Sequence, residues 1–213
     1  MLKLGFMQCQ TEHTVFYYYE DDDALIITVD MDDLTMAGNL KHVMTVFKRE
    51  LSRKYNIKDL GELRWLLGIE VKRFCKERSI TLSQKAYIEW ILTQFSLHDT
   101  KPLSSPLDPQ HKLDLSHCPT TPHHLNDMHD VPYCEAIGSL MYAALGTCPD
   151  IAFTMSYLSQ FMQNPGRSHW EAIKRVLHYL KGMKDQILKI GGPGEQGLQG
   201  YCDVDWASQH TDT

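Results

Sequence analysis

Residues 24–39 confine the fold more than any other stretch of the chain. ALIITV at 24–29 is a β-branched apolar run and LTMA at 34–37 is a second one. Asp30-Met31-Asp32-Asp33 stands between them and Gly38-Asn39 follows. Short apolar runs bounded by polar and turn residues form strands rather than helices. The acids are therefore expected at the tip of a hairpin. TVFYYY at 14–19, ended by the polar turn Glu20-Asp21-Asp22-Asp23, supplies another strand. Asn39 suits the cap of a following helix, in which Val43, Val46, Phe47, Leu51 and Tyr55 recur near the 3.6-residue period.

Gly61 opens a second pattern. WLLGIEVK at 65–72 and SITL at 79–82 read as two strands joined by a charged turn at 73–78, and 84–95 reads as a helix with Tyr87, Ile88, Ile91, Leu92 and Phe95 on one side. Periodicity then fails from 100 to 131, where prolines stand at 102, 106, 109, 119 and 122. That stretch is expected to be an extended connector and a domain boundary. Helices resume at 133–145 and from Pro149-Asp150 to about 163. A last helix is expected to be capped by Ser168, with Trp170, Ile173, Val176, Leu177 and Leu180 forming its core stripe. Gly191-Gly192-Pro193-Gly194 is a break, and 198–202 starts a strand. The fold class expected is α+β.

Composition narrows the classes of function. The chain has 213 residues, 43% hydrophobic and 23% charged, which excludes collagen-like and wholly disordered readings. No segment approaches the ~20 apolar residues of a membrane helix, and the first residues lack a signal-peptide pattern, so an intracellular protein without a membrane partner is expected. Six scattered cysteines include no C-x-x-C pair, as expected of reduced thiols. His111, His117, His123, His124 and His129 cluster with Cys118, at spacings that match no standard ligand motif. The net charge of −6 is unevenly spread: residues 1–40 hold one Lys and eight acids, whereas 41–78 hold eleven Lys/Arg and five acids. An acidic segment beside a basic one suits metal-binding carboxylates next to a polyanion surface, and equally two faces that merely solvate the protein.

The Asp32-Asp33 pair bears the strongest chemistry. Adjacent carboxylates on a bent backbone offer hard oxygen ligands for Mg²⁺, which keeps positions for water and substrate phosphates. Two such ions can hold the attacking and leaving oxygens in nucleotidyl transfer. Acids also occupy ordinary hairpin turns, so the pair alone leaves both readings open.

Several blocks in order carry a resemblance. They are VDMDDLTMAGN (29–39), FKRELSRKYNIKDLGELRWLLGIEVKR (47–73), ITLSQKAYIEWIL (80–92), IGSLMYAALGTCPDIAF (137–153), HWEAIKRVLHYLKGM (169–183) and GYCDVDWA (200–207). Across nearly its whole length the chain resembles the reverse transcriptase part of copia-type LTR retrotransposon Pol polyproteins. The resemblance implies that Asp32 and Asp33 are two of three palm carboxylates holding Mg²⁺. It implies an RNA template, a DNA primer and deoxynucleoside triphosphates as partners, in a cytoplasmic virus-like particle or the nucleus. The 65–83 hairpin would grip the primer backbone. Lys72, Arg73, Lys174 and Arg175 are then candidate phosphate contacts, although each also suits a solvated side chain. Trp65 could stack on a nucleotide or enter the core. Asp203 would be the first metal ligand of an RNase H domain, or an exposed acid near a frayed end.

The implied organisation is a palm part with primer hairpin and first thumb helix at 1–99, and a connector at 100–132. Thumb or connection helices follow at 133–190, and the start of RNase H at 191–213. The family's first palm aspartate would lie upstream of these residues, so the fragment is expected to be inactive as given. A non-catalytic nucleic-acid-binding remnant is the alternative. Departures from the family pattern include Asp30, where an aromatic residue or His is usual, and Cys134 and Cys148 in place of Arg. Decay of a mobile element scarred by cytosine deamination would account for the two Arg replacements.

Overall fold

A computed structural model describes residues 1, 4–31, 33–97, 99–108, 110 and 112–193. The chain divides into two compact units, Met1–Arg64 and Trp65 onward.

In the first unit four antiparallel strands, β1 (Met7–Gln8), β2 (Val15–Glu20), β3 (Asp23–Asp30) and β4 (Asp33–Gly38), lie in sequence order. The strand run at 24–29 and the hairpin to 34–37 form as the alternation requires. Cross-strand pairs such as Phe16 with Ile27 and Ile27 with Met36 set the register. Leu25 and Ile27 are buried while Ile26 is exposed, so the sheet has one dry face. Helix α1 (Lys41–Lys54) covers that face with Val43, Met44, Phe47 and Leu51, joined by Phe6 and Leu40. Asn39 does not cap α1. Leu40 holds the cap position without a side-chain hydrogen bond. The Asn39 side chain instead accepts from Ala24 N–H at 3.1 Å and donates to Asp23 at 2.5 Å, tying the open end of the hairpin.

In the second unit β5 (Trp65–Leu66), β6 (Ile69–Phe74), β7 (Ser79–Ser83) and β8 (Leu188–Gly191) make an antiparallel sheet in that order. The run 65–72, read as one strand, is broken by a turn, because Leu67 and Gly68 both take positive φ (50° and 77°). Two successive left-handed residues fit the tight hairpin turn that matches strand twist. The α2 (Lys85–Gln94), α4 (Tyr133–Gly146), α5 (Ala152–Ser159) and α6 (Arg167–Met183) helices share one core, built from Ile91, Leu140, Met155, Leu158, Ile173 and Leu177 among others.

The 100–131 stretch is less extended than its prolines suggest. It contains α3 (Pro122–His129), capped by Thr121 with proline in its first turn. Ahead of α3 the connector lies along α6, whose Lys181 and His178 reach the carbonyls of Thr100 and Lys101. The cap expected at Ser168 falls on Gly166 instead, because the His169 ring accepts the Gly166 N–H at 2.9 Å. Among the described residues no helix is long and apolar enough to cross a membrane.

Candidate active site and nucleic-acid surface

Strand alternation decides which face the acids share. Asp30 pairs directly with Asp33, and Thr28 with Thr35, on the side of the sheet opposite α1. Tyr17 and Tyr19 from β2 lie on the same side, with ring centroids 5.5 Å apart. Met31 follows Asp30 at φ 44° and is 97% exposed, so the chain reverses sharply in solvent. Asp30 and Asp33 are exposed and have no ion-pair partner among the described residues. Like charges directly opposite on a hairpin repel, and exposed carboxylate oxygens with room for water suit a hard divalent cation. The donor chemistry therefore fits Mg²⁺. Among the described residues no three His, Cys, Asp or Glu side chains converge. Asp32 and Asp203 lie outside the described residues.

The other anticipated residues fall on the second unit. Trp65 opens β5, is 56% exposed, and pairs across the strands with Glu70. Lys72 binds the Glu70 carboxylate at 3.1 Å on the same face. Arg73 is the next residue on the strand and so projects from the opposite face. One nucleic-acid strand running along a single face of the sheet could not meet both cations. Lys174 binds Glu171 at 2.6 Å within α6. Arg175 is one-third exposed. Its Nε donates to the Ser105 carbonyl at 3.2 Å, and its guanidinium lies 3.6 Å from Asp108, so this cation fastens the connector.

Three further residues hold the scaffold and were not singled out by sequence. Gln84, fully buried after β7, accepts from Thr147 Oγ1 at 2.9 Å, linking the LSQ and GTCPD blocks. Tyr179 donates to Asp150 at 2.5 Å, and that bond with the adjacent carboxylate pushes the phenol up to about 12. His169 is completely buried and its ring stacks on Phe161 at 4.0 Å. Each lies inside a motif block, which is a signal of importance. The partners of Gln84 and Tyr179 are distant in sequence, so the kind of role is hidden there.

Comparison with known proteins agrees with the order of these blocks. The reverse transcriptase (RNA-dependent DNA polymerase) family matches residues 1–109. The retrovirus-related Pol polyprotein from transposon TNT 1-94 of Nicotiana tabacum is 39% identical over 90% of this chain and 14% of its own length. The Pol polyprotein from transposon RE1 of Arabidopsis thaliana is 32% identical over the whole of this chain and 14% of its own length. The putative transposon Ty5-1 protein of Saccharomyces cerevisiae is 31% identical over 98% of this chain and 65% of its length. The chain thus spans about one-seventh of the two plant polyproteins. No solved structure matches it. With the acidic hairpin and the ordered blocks, these matches show that the chain belongs to the reverse transcriptase family, as part of a copia-type retrotransposon Pol polyprotein.

Proposed function

We propose that these residues form the part of an RNA-directed DNA polymerase that presents two palm carboxylates and grips the primer strand. The observation that carries this reading is Asp33. It closes the acidic block of the family-matched region, exposed at the start of β4 on the sheet side opposite α1. In this reading Asp32 and Asp33 hold Mg²⁺. When bound, the ion supplies Lewis-acid stabilisation of the charge that develops in nucleotidyl transfer. The flanking Thr28, Thr35, Tyr17 and Tyr19 face forms the floor under the reacting ends. The β5–β6 hairpin orients the primer backbone through Lys72, with Trp65 beside it available to stack on a nucleotide. Asp203 is the leading metal ligand of an RNase H domain that begins near residue 191, and residues 133–190 supply thumb or connection helices. The partners are an RNA template, a DNA primer and deoxynucleoside triphosphates, and the setting is a cytoplasmic virus-like particle or the nucleus.

One observation favours the non-catalytic alternative. Asp30 stands directly opposite Asp33 and adds negative charge where a triphosphate would approach. By the family pattern the third carboxylate also lies outside these 213 residues. The chain alone is therefore expected to bind an RNA–DNA primer–template in a salt-sensitive way and to extend it no faster than an Asp32→Asn variant. Joined to the preceding palm segment of a relative, it is expected to incorporate nucleotides in an Asp32- and Asp33-dependent manner. Failure of the 213-residue chain to bind the duplex at low salt would reject both readings. Binding by a fused protein that never incorporates would leave only the binding remnant.

A further inference from the structure

The β5–β6 turn is short, exposed and strained, yet it is tied to the helical core from one side. Leu67 and Gly68 both adopt left-handed backbone, and Leu67 is 55% exposed. Such a turn has little packing of its own to fix it. Its one side-chain anchor among the described residues is Tyr142 of α4, whose hydroxyl donates to the Leu67 carbonyl. Tyr142 is itself held in place. Tyr87 meets its ring edge-on at 4.8 Å, and the Tyr87 hydroxyl donates to the Ser139 carbonyl of the same helix at 3.1 Å. Trp90 stacks on Tyr87 at 5.7 Å. At the same end of the sheet, one residue beyond the Glu70–Ser83 pair, the buried Gln84 side chain donates at 3.5 Å to the carbonyl of Tyr142. Gly146, one turn further along α4, leaves the space that Gln84 fills, since a Cβ there would lie 2.5 Å from its amide.

We propose that Tyr142 is a positioning residue for the primer hairpin: its hydroxyl fixes the Leu67–Gly68 turn to α4 and so sets affinity for the primer strand. The link to the primer rests on the function proposed above, whereas the coupling of turn to helix does not. Loss of one hydrogen bond at a partly exposed site is worth roughly three- to tenfold in a local equilibrium. Removing the hydroxyl while keeping the ring isolates that bond.

The experiment compares the full chain with Tyr142→Phe and, as a control, Tyr157→Phe, which loses a hydroxyl bond to the Leu113 carbonyl on the connector. Amide hydrogen exchange of 66–69 and affinity for an RNA–DNA primer–template are both measured. In Tyr142→Phe, exchange at the turn is expected to rise about three- to tenfold, with protection in α6 unchanged and duplex affinity falling by a similar factor. In Tyr157→Phe, exchange is expected to rise around 113 and duplex affinity to stay the same. Unchanged exchange at the turn in Tyr142→Phe, or equal loss of duplex affinity in both variants, would overturn the positioning role. Faster exchange at the turn in a chain whose wild type binds no duplex would overturn the primer reading and leave the coupling standing.

Discussion

Gly38 ends β4 opposite Leu25 of β3, and no other residue fits there. A Cβ at this position would lie 2.2 Å from the Ala24 carbonyl oxygen and 2.8 Å from Leu25 Cα, both backbone atoms that cannot swing aside. Gly38→Ala is expected to destabilise the first unit by about 1–3 kcal/mol through forced backbone shifts. Unaltered exchange protection in β3 and β4 would contradict this. His169 makes a different demand. Its Nδ1 accepts the Gly166 N–H, which requires a neutral ring, and burial holds its pKa below the ordinary histidine value. The unfolded chain therefore takes up a proton near pH 6.5 while the folded chain still resists it. The contribution is complete above that pH and is lost as pH falls toward the folded pKa. His117 and Asp114 modulate it in opposite senses. In His169→Gln the stability of the second unit is expected to lose less between pH 7 and 5 than in the wild type. Parallel urea-melt profiles for the two proteins over that range would exclude the effect.

Among the elements, the connector behaves as a strap rather than a linker. Side chains of α6 hold it at successive points: Lys181 on Thr100, His178 on Lys101, and Arg175 on Ser105 and Asp108. Arg175→Ala removes the last of these, and cleavage by a protease between 101 and 112 is expected to speed up several-fold with the helices intact. A cleavage rate equal to wild type would show that the strap is held elsewhere. The same elements mark what sequence could reveal. The strands β2 to β4 and α1 were legible because alternation and the 3.6-residue period each express one buried face. The turn within 65–72 was hidden because Leu66, Leu67 and Ile69 read as one apolar run, and only backbone φ separates them. Helix α3, with the sequence PHHLNDMH, has no apolar period to announce it and depends on the Thr121 cap and the first-turn proline. β8 follows a helix without a turn signal and is defined by its pairing with β7. The hairpin that carries the acids was legible in its alternation. The engagement of Arg175 was not, because its partners are seventy residues away.

At the scale of the whole molecule, the acidic segment 1–40 and the basic segment 41–78 differ in how their charges are placed. The acidic surface is the Asp30–Asp33 end of a sheet whose dry face is sealed by α1. Some of the basic residues are paired: Lys48 with Asp59, Arg53 with Glu50, Lys72 with Glu70. Asp59 is held below its ordinary range by Lys48 and by the Gly61 N–H. Paired cations still attract phosphate but less steeply than free ones, so these three are expected to add less to duplex affinity than unpaired cations would. In the function proposed above, the hairpin acids form a divalent-cation site serving a polymerase palm. The most direct test is a calorimetric titration of Mn²⁺, standing in for Mg²⁺, into the wild-type chain and Asp33→Asn with primer–template present. Saturable binding that weakens about tenfold or more in Asp33→Asn is expected. Identical isotherms for the two proteins would contradict it.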